Sequence, residues 1–440
     1  MKAIKKESEK MKEKTLLTVI QNRFSSRVLN TSYPLRPSDW FPYRVEGTLP
    51  FDDKVPLSFY VHIPFCKHLC RFCEYTRMAL PDATRQQHYL AVISRDIDQF
   101  IASHPNTVLR GFDIGGGTPT ALTDNNFKRL MSIYADTINR VQVTDDFEPS
   151  IEGTFLTINR EKLQAIVQAG FRRLSLGIQT SAAAVLDAQG RSVAPLNLMK
   201  DTLDKAHDAG IQKINLDLMY GLAGQNGASQ QRDFEVIDQL APEQVTLYEL
   251  RTNMLNDVQS ASKEELYAAY CSYYDTLLQM GYHARFGQNT FSRSDKDFGV
   301  SSYLRSRMLE GAPYRGFGIS AQSMNSTGIA YNPGKNEHAL TSYLSRSSYE
   351  EESYYALPPE ELLSKYIAIS AYSGGFSLDI ASRILGKDAS KHFHRELTFC
   401  LNEGLLTRQG DRVQISRKGF LHYGAVFSLF YLKPKNLITR

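Results

Sequence analysis

The sequence predicts an α/β protein: a partial (β/α)6, TIM-like barrel, preceded by an N-terminal strap and followed by a winged-helix-like α+β domain. Three observations carry this expectation. Between residues 57 and 250, strand-like and helix-like segments alternate with a regular beat, the pattern of a parallel sheet with right-handed crossovers. The polar residues that stand out fall at or near the C-terminal ends of the strand segments, where barrel-type α/β folds place their chemistry. Beyond residue 377, two helical runs lead into a two-stranded wing. The expected organisation is a helix and strap over 1–55, the barrel over 56–255, a barrel extension with a second-ligand region over 256–355, and the winged-helix-like domain over 356–440.

Residues 1–14 mix Lys and Glu and read as a solvated helix or tail, and 15–24 have helical spacing. Residues 33–51 hold four prolines, the single tryptophan Trp40, and Arg36 and Arg44. They predict an extended, ordered strap. The first strand is expected at 57–63, where Leu57, Phe59, Val61 and Ile63 alternate up to Pro64. A helix over 84–101 follows, with Leu90, Ile93, Ile97 and Phe100 on one face. The second strand spans 109–114 and runs into Gly115-Gly116-Gly117-Thr118-Pro119; the third spans 147–151 and ends at Glu152. A helix through Leu163, Ile166 and Val167 is stopped by Gly170 as its C′ residue. The fourth strand, 173–178, ends at Gln179. The fifth, 213–219, ends at Tyr220-Gly221, and the sixth spans 245–250. Helix 262–280 opens on a capping-box spacing, Ser262 and Glu265. Residues 281–323 read as irregular, with a second glycine-rich turn at Gly316-Phe317-Gly318.

Composition bounds the function. Hydrophobic content of 42% and charged content of 22% are those of an ordinary globular chain. A net charge of +4 over 440 residues is too small to argue for nucleic-acid binding. No apolar run reaches the roughly 18–20 residues that span a bilayer, and the charged N-terminal run is followed by no apolar signal core. A cytoplasmic protein without stable membrane insertion is expected. Of five cysteines three are clustered, which suits a reducing compartment better than a disulfide framework. Cys271 and Cys400 read as isolated buried thiols.

Chemistry concentrates in LSFYVHIPFCKHLCRFCEYTR, residues 57–77. Cys66, Cys70 and Cys73 stand in a C-x3-C-x2-C spacing just past a strand, and three such thiolates can close around an iron–sulfur cluster. A cubane has four irons, so three protein ligands leave one open to a chelating small molecule. Zinc is the alternative, with His62, His68 or Glu74 as fourth ligand. The Gly115–Gly117 run follows a strand but lacks the G-x-G-x-x-G spacing of a dinucleotide site. Its glycines let backbone approach a ligand closely. Glu152, Gln179 and Asp217, with Arg191 in a nearby loop, offer acceptors for an ammonium group and hydroxyls and a cation for a carboxylate.

YVHIPFCKHLCRFC and GGGTP resemble the radical S-adenosylmethionine (SAM) superfamily, specifically its coproporphyrinogen dehydrogenase-like branch. RLSLGIQT, QGRS and LDLMYGLAGQ match the same branch. The resemblance implies a radical SAM barrel holding a [4Fe–4S] cluster on Cys66, Cys70 and Cys73, whose open iron binds SAM. Reduction splits SAM to methionine and a 5′-deoxyadenosyl radical. It also implies that Gly116, Gly117 and Thr118 border the SAM amino group and that Glu152, Gln179, Arg191 and Asp217 hold SAM. Tyr60 and Phe72 would lie near the cluster and adenosine, with His62 a catalytic or positioned group behind them. A second SAM is implied at 246–251 and 318–323, with Arg251 and Gln322 as contacts. The C-terminal domain becomes a lid over the barrel mouth, and the strap residues Arg36, Trp40 and Arg44 become possible substrate contacts.

Three departures from the branch point to a specialised paralogue. Tyr75 replaces a further cysteine, DFGVSSYL (297–304) lacks the His-Asn…Tyr-Trp signature of heme chaperones, and the usual prolines are absent from Gly-Leu-Ala-Gly and Glu-Leu-Arg. The expected activity is therefore two-SAM methyl transfer or cyclopropanation on an unsaturated or aromatic small molecule. Electrons would come from an external one-electron reductant such as flavodoxin or ferredoxin. The alternatives are a tetrapyrrole substrate, by coproporphyrinogen III decarboxylation or heme ring opening, and a non-catalytic heme chaperone.

Overall fold

The computed structural model describes residues 18, 33–34, 37–250, 261–346 and 353–431. Arg36, Arg251 and nearly all of 1–32 lie outside them. The chain forms two compact units. One comprises Met1–Tyr43, Arg285–Asn289 and Leu357–Arg440, the other Arg44–Ala284 and Thr290–Ala356.

The larger unit is built on a 13-stranded mixed sheet. Its centre contains the six expected strands in sequence order: β1 (Leu57–Ile63), β2 (Val108–Gly116), β3 (Ser150–Gly153), β4 (Arg173–Gln179), β5 (Lys213–Tyr220) and β6 (Gln244–Glu249). All neighbouring pairs among them are parallel. A seventh strand, β7 (Tyr314–Phe317), pairs parallel to β1 on its other side, inside the stretch expected to be irregular. From β7 the sheet continues antiparallel through Gln322–Met324, Gly328–Tyr331, Ser353–Ala356 and Arg44–Glu46. Thr290–Ser292 closes the other edge against β6. Parallel pairing brings the C-terminal ends of β1 to β7 to one side of the sheet.

β3 begins three residues later than expected. Pro149 has no N–H to give the ladder, and the Glu148 backbone is already engaged by Ser302 Oγ, which accepts from its N–H (3.0 Å) and donates to its carbonyl (2.9 Å).

Helix α1 (Ala83–Ser103) starts where Asp82 accepts the Arg85 amide at 2.8 Å. It buries Tyr89, Leu90, Ile93, Ile97 and Phe100. Phe59 of β1 meets Phe100, Phe112 and Phe317 edge-on at centroid distances of 5.4, 6.0 and 5.0 Å. Each ring so buried contributes about 1.5–3 kcal/mol of transfer free energy. The helix Arg160–Gln168 ends with Gly170 at φ +102° one residue past its cap. The helix Lys263–Gln279 carries the Ser262–Glu265 capping box in both directions. Among the described residues no helix is long and apolar enough to cross a membrane.

In the smaller unit, helices Pro359–Ser370, Leu378–Leu385, Ala389–His392 and His394–Asn402 accompany a three-stranded antiparallel sheet. Its strands are Gly375–Ser377, Arg412–Ile415 and Leu406–Gln409, in that order. The strap is not extended throughout, because Pro37–Tyr43 is a 3-10 helix. Trp40, 1% exposed, donates from Nε1 to Glu361 at 3.1 Å, and Tyr33 donates to the same carboxylate. Those bonds make Trp40 a packing residue of this unit, while Arg44 is exposed and paired with Glu46 at 3.1 Å. Cys400 is buried, whereas Cys271 is half-buried rather than buried.

Candidate functional site

At the C-terminal ends of the parallel strands lies a cavity of about 580 Å³. Its walls include Tyr60, Cys66, Cys70, Phe72, Cys73, Gly116, Gly117, Thr118, Glu152, Gln179, Arg191, Asp217 and Gln322. Thirteen of the fifteen site residues expected from sequence thus meet in one place; Arg251 lies outside the described residues and His62 stands behind the wall.

Main-chain bonds from the strand ends fix the cysteine loop. Cys66 closes a two-residue strand paired with Met78–Ala79, and its carbonyl accepts from Leu80 at 2.9 Å. Arg77 grips the Cys70 carbonyl through Nη2 (2.6 Å) and Nε (3.2 Å). The glycine run is stitched to the same loop: Gly117 N–H donates to Ile63 O (2.7 Å) and Thr118 N–H to Phe65 O (2.9 Å). Thr118 Oγ1 donates to Cys66 Sγ at 3.6 Å. A Cβ on Gly117 would lie 2.9 Å from Cys66 Sγ and 2.7 Å from the Pro64 carbonyl group, so only glycine keeps that space clear.

These features fit a cluster held by three thiolates. Among the described residues no group of three or more His, Cys, Asp or Glu side chains converges on a single point. A cubane does not require this, because each cysteine binds its own iron. Burial pushes the Cys66 thiol up to about 11, and the Cys73 thiol also up. The metal-free protein therefore holds both as neutral thiols, and cluster binding must release their protons.

His62 is 5% exposed and has both ring nitrogens engaged. Nε2 lies 2.9 Å from the Thr76 carbonyl, which can only accept, so Nε2 carries the proton. Nδ1 then accepts from the Tyr60 hydroxyl at 3.2 Å. Burial pushes its pKa down to about 4, so the ring is neutral and positions Tyr60.

Carboxylates line the same cavity. Glu152 shows its surface to the cavity and accepts the Gly116 amide at 3.0 Å. Burial, then the charge of Asp217, raises it to about 7. Asp217 accepts from Ser175 Oγ (2.9 Å) and Asn215 Nδ2 (2.8 Å), and burial raises its pKa too. Arg191 donates to Gly177 O, and Gln179 takes a left-handed φ of +66°. The two residues that follow are anchored by buried Asp233, which accepts from Thr180 Oγ1 (3.1 Å), Ser181 Oγ (2.6 Å) and Tyr273 O–H (2.6 Å). An apolar flank of Ala182, Val185, Met219, Leu222 and Leu250 packs against Phe72 and Tyr248.

Gln322, expected at a second SAM, has its side-chain oxygen occupied: Arg307 Nη2 donates to it at 2.9 Å and Tyr314 O–H also donates.

Sequence reasoning missed Asp113, Tyr303 and Arg307, all in the cavity wall. Asp113 was findable. Phe112 and Ile114 point to the helix layer, so alternation turns Asp113 inward with Gly111 and Gly115. Its Oδ2 accepts from Ser301 Oγ at 2.6 Å, and Oδ1 is buried with no partner among the described residues. Burial raises its pKa to about 7, Glu152 and Glu148 adding to the rise, while Ser301 and Arg173 oppose it. A carboxyl raised in the folded state stabilises through its protonated form. That contribution is complete below about pH 4 and is lost as pH rises through about 7. Asp113→Asn is accordingly expected to raise the melting temperature of the cluster-free protein by a few degrees at about pH 8, and to change it little at about pH 4. Equal shifts at both pH values would show that Asp113 does not titrate in this range.

Residues 60–235 match the family model of the Radical SAM superfamily. The heme chaperone HemW of Bacillus subtilis is 25% identical, the match covering 85% of this chain and 98% of that protein. The oxygen-independent coproporphyrinogen III oxidase of Synechocystis is also 25% identical, over 94% of this chain and 96% of the relative. Among solved structures, coproporphyrinogen III oxidase (HemN) from Escherichia coli superposes with a TM-score of 0.71 at 22% identity, covering 87% of this chain and 91% of that one.

Proposed function

We propose that this chain, a radical SAM protein homologous to the heme chaperones HemW and to oxygen-independent coproporphyrinogen III oxidases, cleaves SAM reductively and abstracts hydrogen from a tetrapyrrole substrate. The observation that carries the reading is the meeting of three cysteines with Glu152, Gln179, Arg191 and Asp217 in one cavity, in a chain whose end-to-end relatives bear tetrapyrrole names. Methyl transfer, favoured from sequence, draws no support from those relatives and gives way to the alternative weighed beside it.

When bound, the cluster supplies the electron that splits SAM and an iron to chelate its methionyl end. This chain's residues do the positioning. Glu152 and the Gly116–Thr118 edge take the amino group, Arg191 the carboxylate, Asp217 and Gln179 the ribose. Phe72, Tyr248, Met219 and Leu222 give the adenine an apolar wall that also excludes water. Propionate decarboxylation then balances as follows: one hydrogen atom goes to the deoxyadenosyl radical, carbon dioxide leaves, and the remaining electron passes to an external one-electron acceptor.

The test is anaerobic turnover of the reconstituted protein with SAM, a reductant and coproporphyrinogen III. Equal yields of 5′-deoxyadenosine and carbon dioxide are expected for the first decarboxylation. Deoxyadenosine accompanied by S-adenosylhomocysteine would return the reading to methyl transfer. The near end-to-end match to HemW favours one second reading, a heme carrier. It predicts a stable Soret band on hemin titration with no deoxyadenosine from the same preparation.

A further inference from the structure

The geometry points to an anion subsite at Arg307 that takes a carboxylate, at the cavity wall formed by the helix Ser302–Leu309. It rests on the proposal above that this cavity is the substrate site, and it gives that substrate a chemical feature.

Among the described residues Arg307 is a cation without a counter-charge. Its partners are neutral: Nη1 donates to Tyr303 O–H at 3.1 Å, Nη2 donates to Gln322 Oε1 at 2.9 Å, and the guanidinium sits 4.6 Å over the Tyr314 ring. These use two of the five N–H groups of an arginine. Nε is buried and has no partner among the described residues, and no carboxylate there is within ion-pair reach. Holding a charge at a cavity wall without an opposite charge costs free energy unless a ligand provides one. The free N–H groups of a planar fork match the two oxygens of a carboxylate.

The helix is built to bring that fork in. A Cβ on Gly111 would lie 2.3 Å from the Tyr303 nitrogen, so glycine on β2 lets the helix backbone close onto the strand. Ser301 caps the helix and binds Asp113, while Ser306 meets Ser58 at 3.0 Å. Tyr303 stacks on Tyr60 at 5.6 Å and 17°. A continuous run of contacts therefore links Arg307 through Tyr303 and Tyr60 to His62.

Two sources of carboxylate fit this chemistry, a substrate side chain and the methionyl end of a SAM, and three titrations separate them. Coproporphyrin III and its tetramethyl ester are titrated by fluorescence into the reconstituted wild type, Arg307→Met and Arg307→Lys, each checked for thermal unfolding. The wild type is expected to prefer the free acid by at least about tenfold, Arg307→Met to bind acid and ester alike, and Arg307→Lys to fall between because it keeps charge without the fork. If Arg307→Met instead keeps the acid preference and loses about tenfold in SAM affinity, the anion belongs to SAM. If the wild type binds neither porphyrin, the tetrapyrrole reading fails on its own. Arg307 is then judged by benzoate, which should raise the wild-type melting temperature but not that of Arg307→Met, with benzyl alcohol as the uncharged control. Equal behaviour of wild type and Arg307→Met toward coproporphyrin, SAM and benzoate would overturn the subsite.

Discussion

Cys66→Ala is expected to lower 5′-deoxyadenosine formation by at least about a hundredfold and to remove most of the iron, because a cubane loses a third of its protein ligands with one thiolate. The fold should survive. Cys66 is 7% exposed and its backbone is held from outside the side chain, by pairing with Met78–Ala79 and by the Leu80 amide. In the cluster-free protein the substitution deletes one sulfur atom and a Thr118 contact of 3.6 Å, a cost on the order of 1 kcal/mol. Cys400→Ala provides the contrast. Its thiol is fully buried in the smaller unit and burial pushes its pKa up to about 12. Its loss should cost about 1–2 kcal/mol of packing with iron content unchanged. Iron per chain and melting temperature, measured on both variants, separate ligand loss from destabilisation. A Cys66→Ala protein that retains full iron would remove this cysteine from the ligand set.

Much of this site was legible before any coordinates. Most of the six parallel strands announce themselves because apolar residues recur at every second position, as in LSFYVHI and RLSLGIQ, and polar termini such as Gln179 and Glu249 mark where the cavity begins. The cysteine spacing and the glycine run are local signals, and local signals survive without knowledge of packing. What escaped was set by burial on several sides. The helix Ser302–Leu309 has the sequence SYLRSRML, with no single apolar stripe, because it is packed against β1 and β2 while one side meets the cavity. Its serines are satisfied individually by Glu148, Asp113 and Ser58 rather than by water. No periodicity records such an arrangement, so Tyr303 and Arg307 stayed invisible. β7 was hidden for a related reason: at four residues, YRGF, it is too short to alternate, and its Gly316 is required by the Gln322 carbonyl, 2.4 Å from where a Cβ would stand.

Gly116→Ala is expected to damage both the fold and SAM binding. Gly116 sits at φ +114°, and its Cβ would lie 2.5 Å from His62 Cε1 and Nδ1 and 2.9 Å from Nε2. The ring cannot step aside, because Thr76 holds one nitrogen at 2.9 Å and Tyr60 the other at 3.2 Å. Backbone strain and overpacking each cost about 1–3 kcal/mol, so a loss of ~2–5 kcal/mol is expected. Any relaxation of the glycine strand end also moves the Gly116 amide away from Glu152, so SAM affinity should fall by at least about tenfold. Gly170→Ala isolates the strain, because its φ is +102° and a Cβ there meets nothing within 4 Å. It should cost about 1 kcal/mol and leave SAM binding alone. The double variant Gly116→Ala/His62→Ala completes the cycle. Removing the ring opens space for the methyl group, so the second substitution should recover part of the stability lost to the first. Strict additivity of the two losses would mean that the collision with His62 is not what makes glycine necessary here.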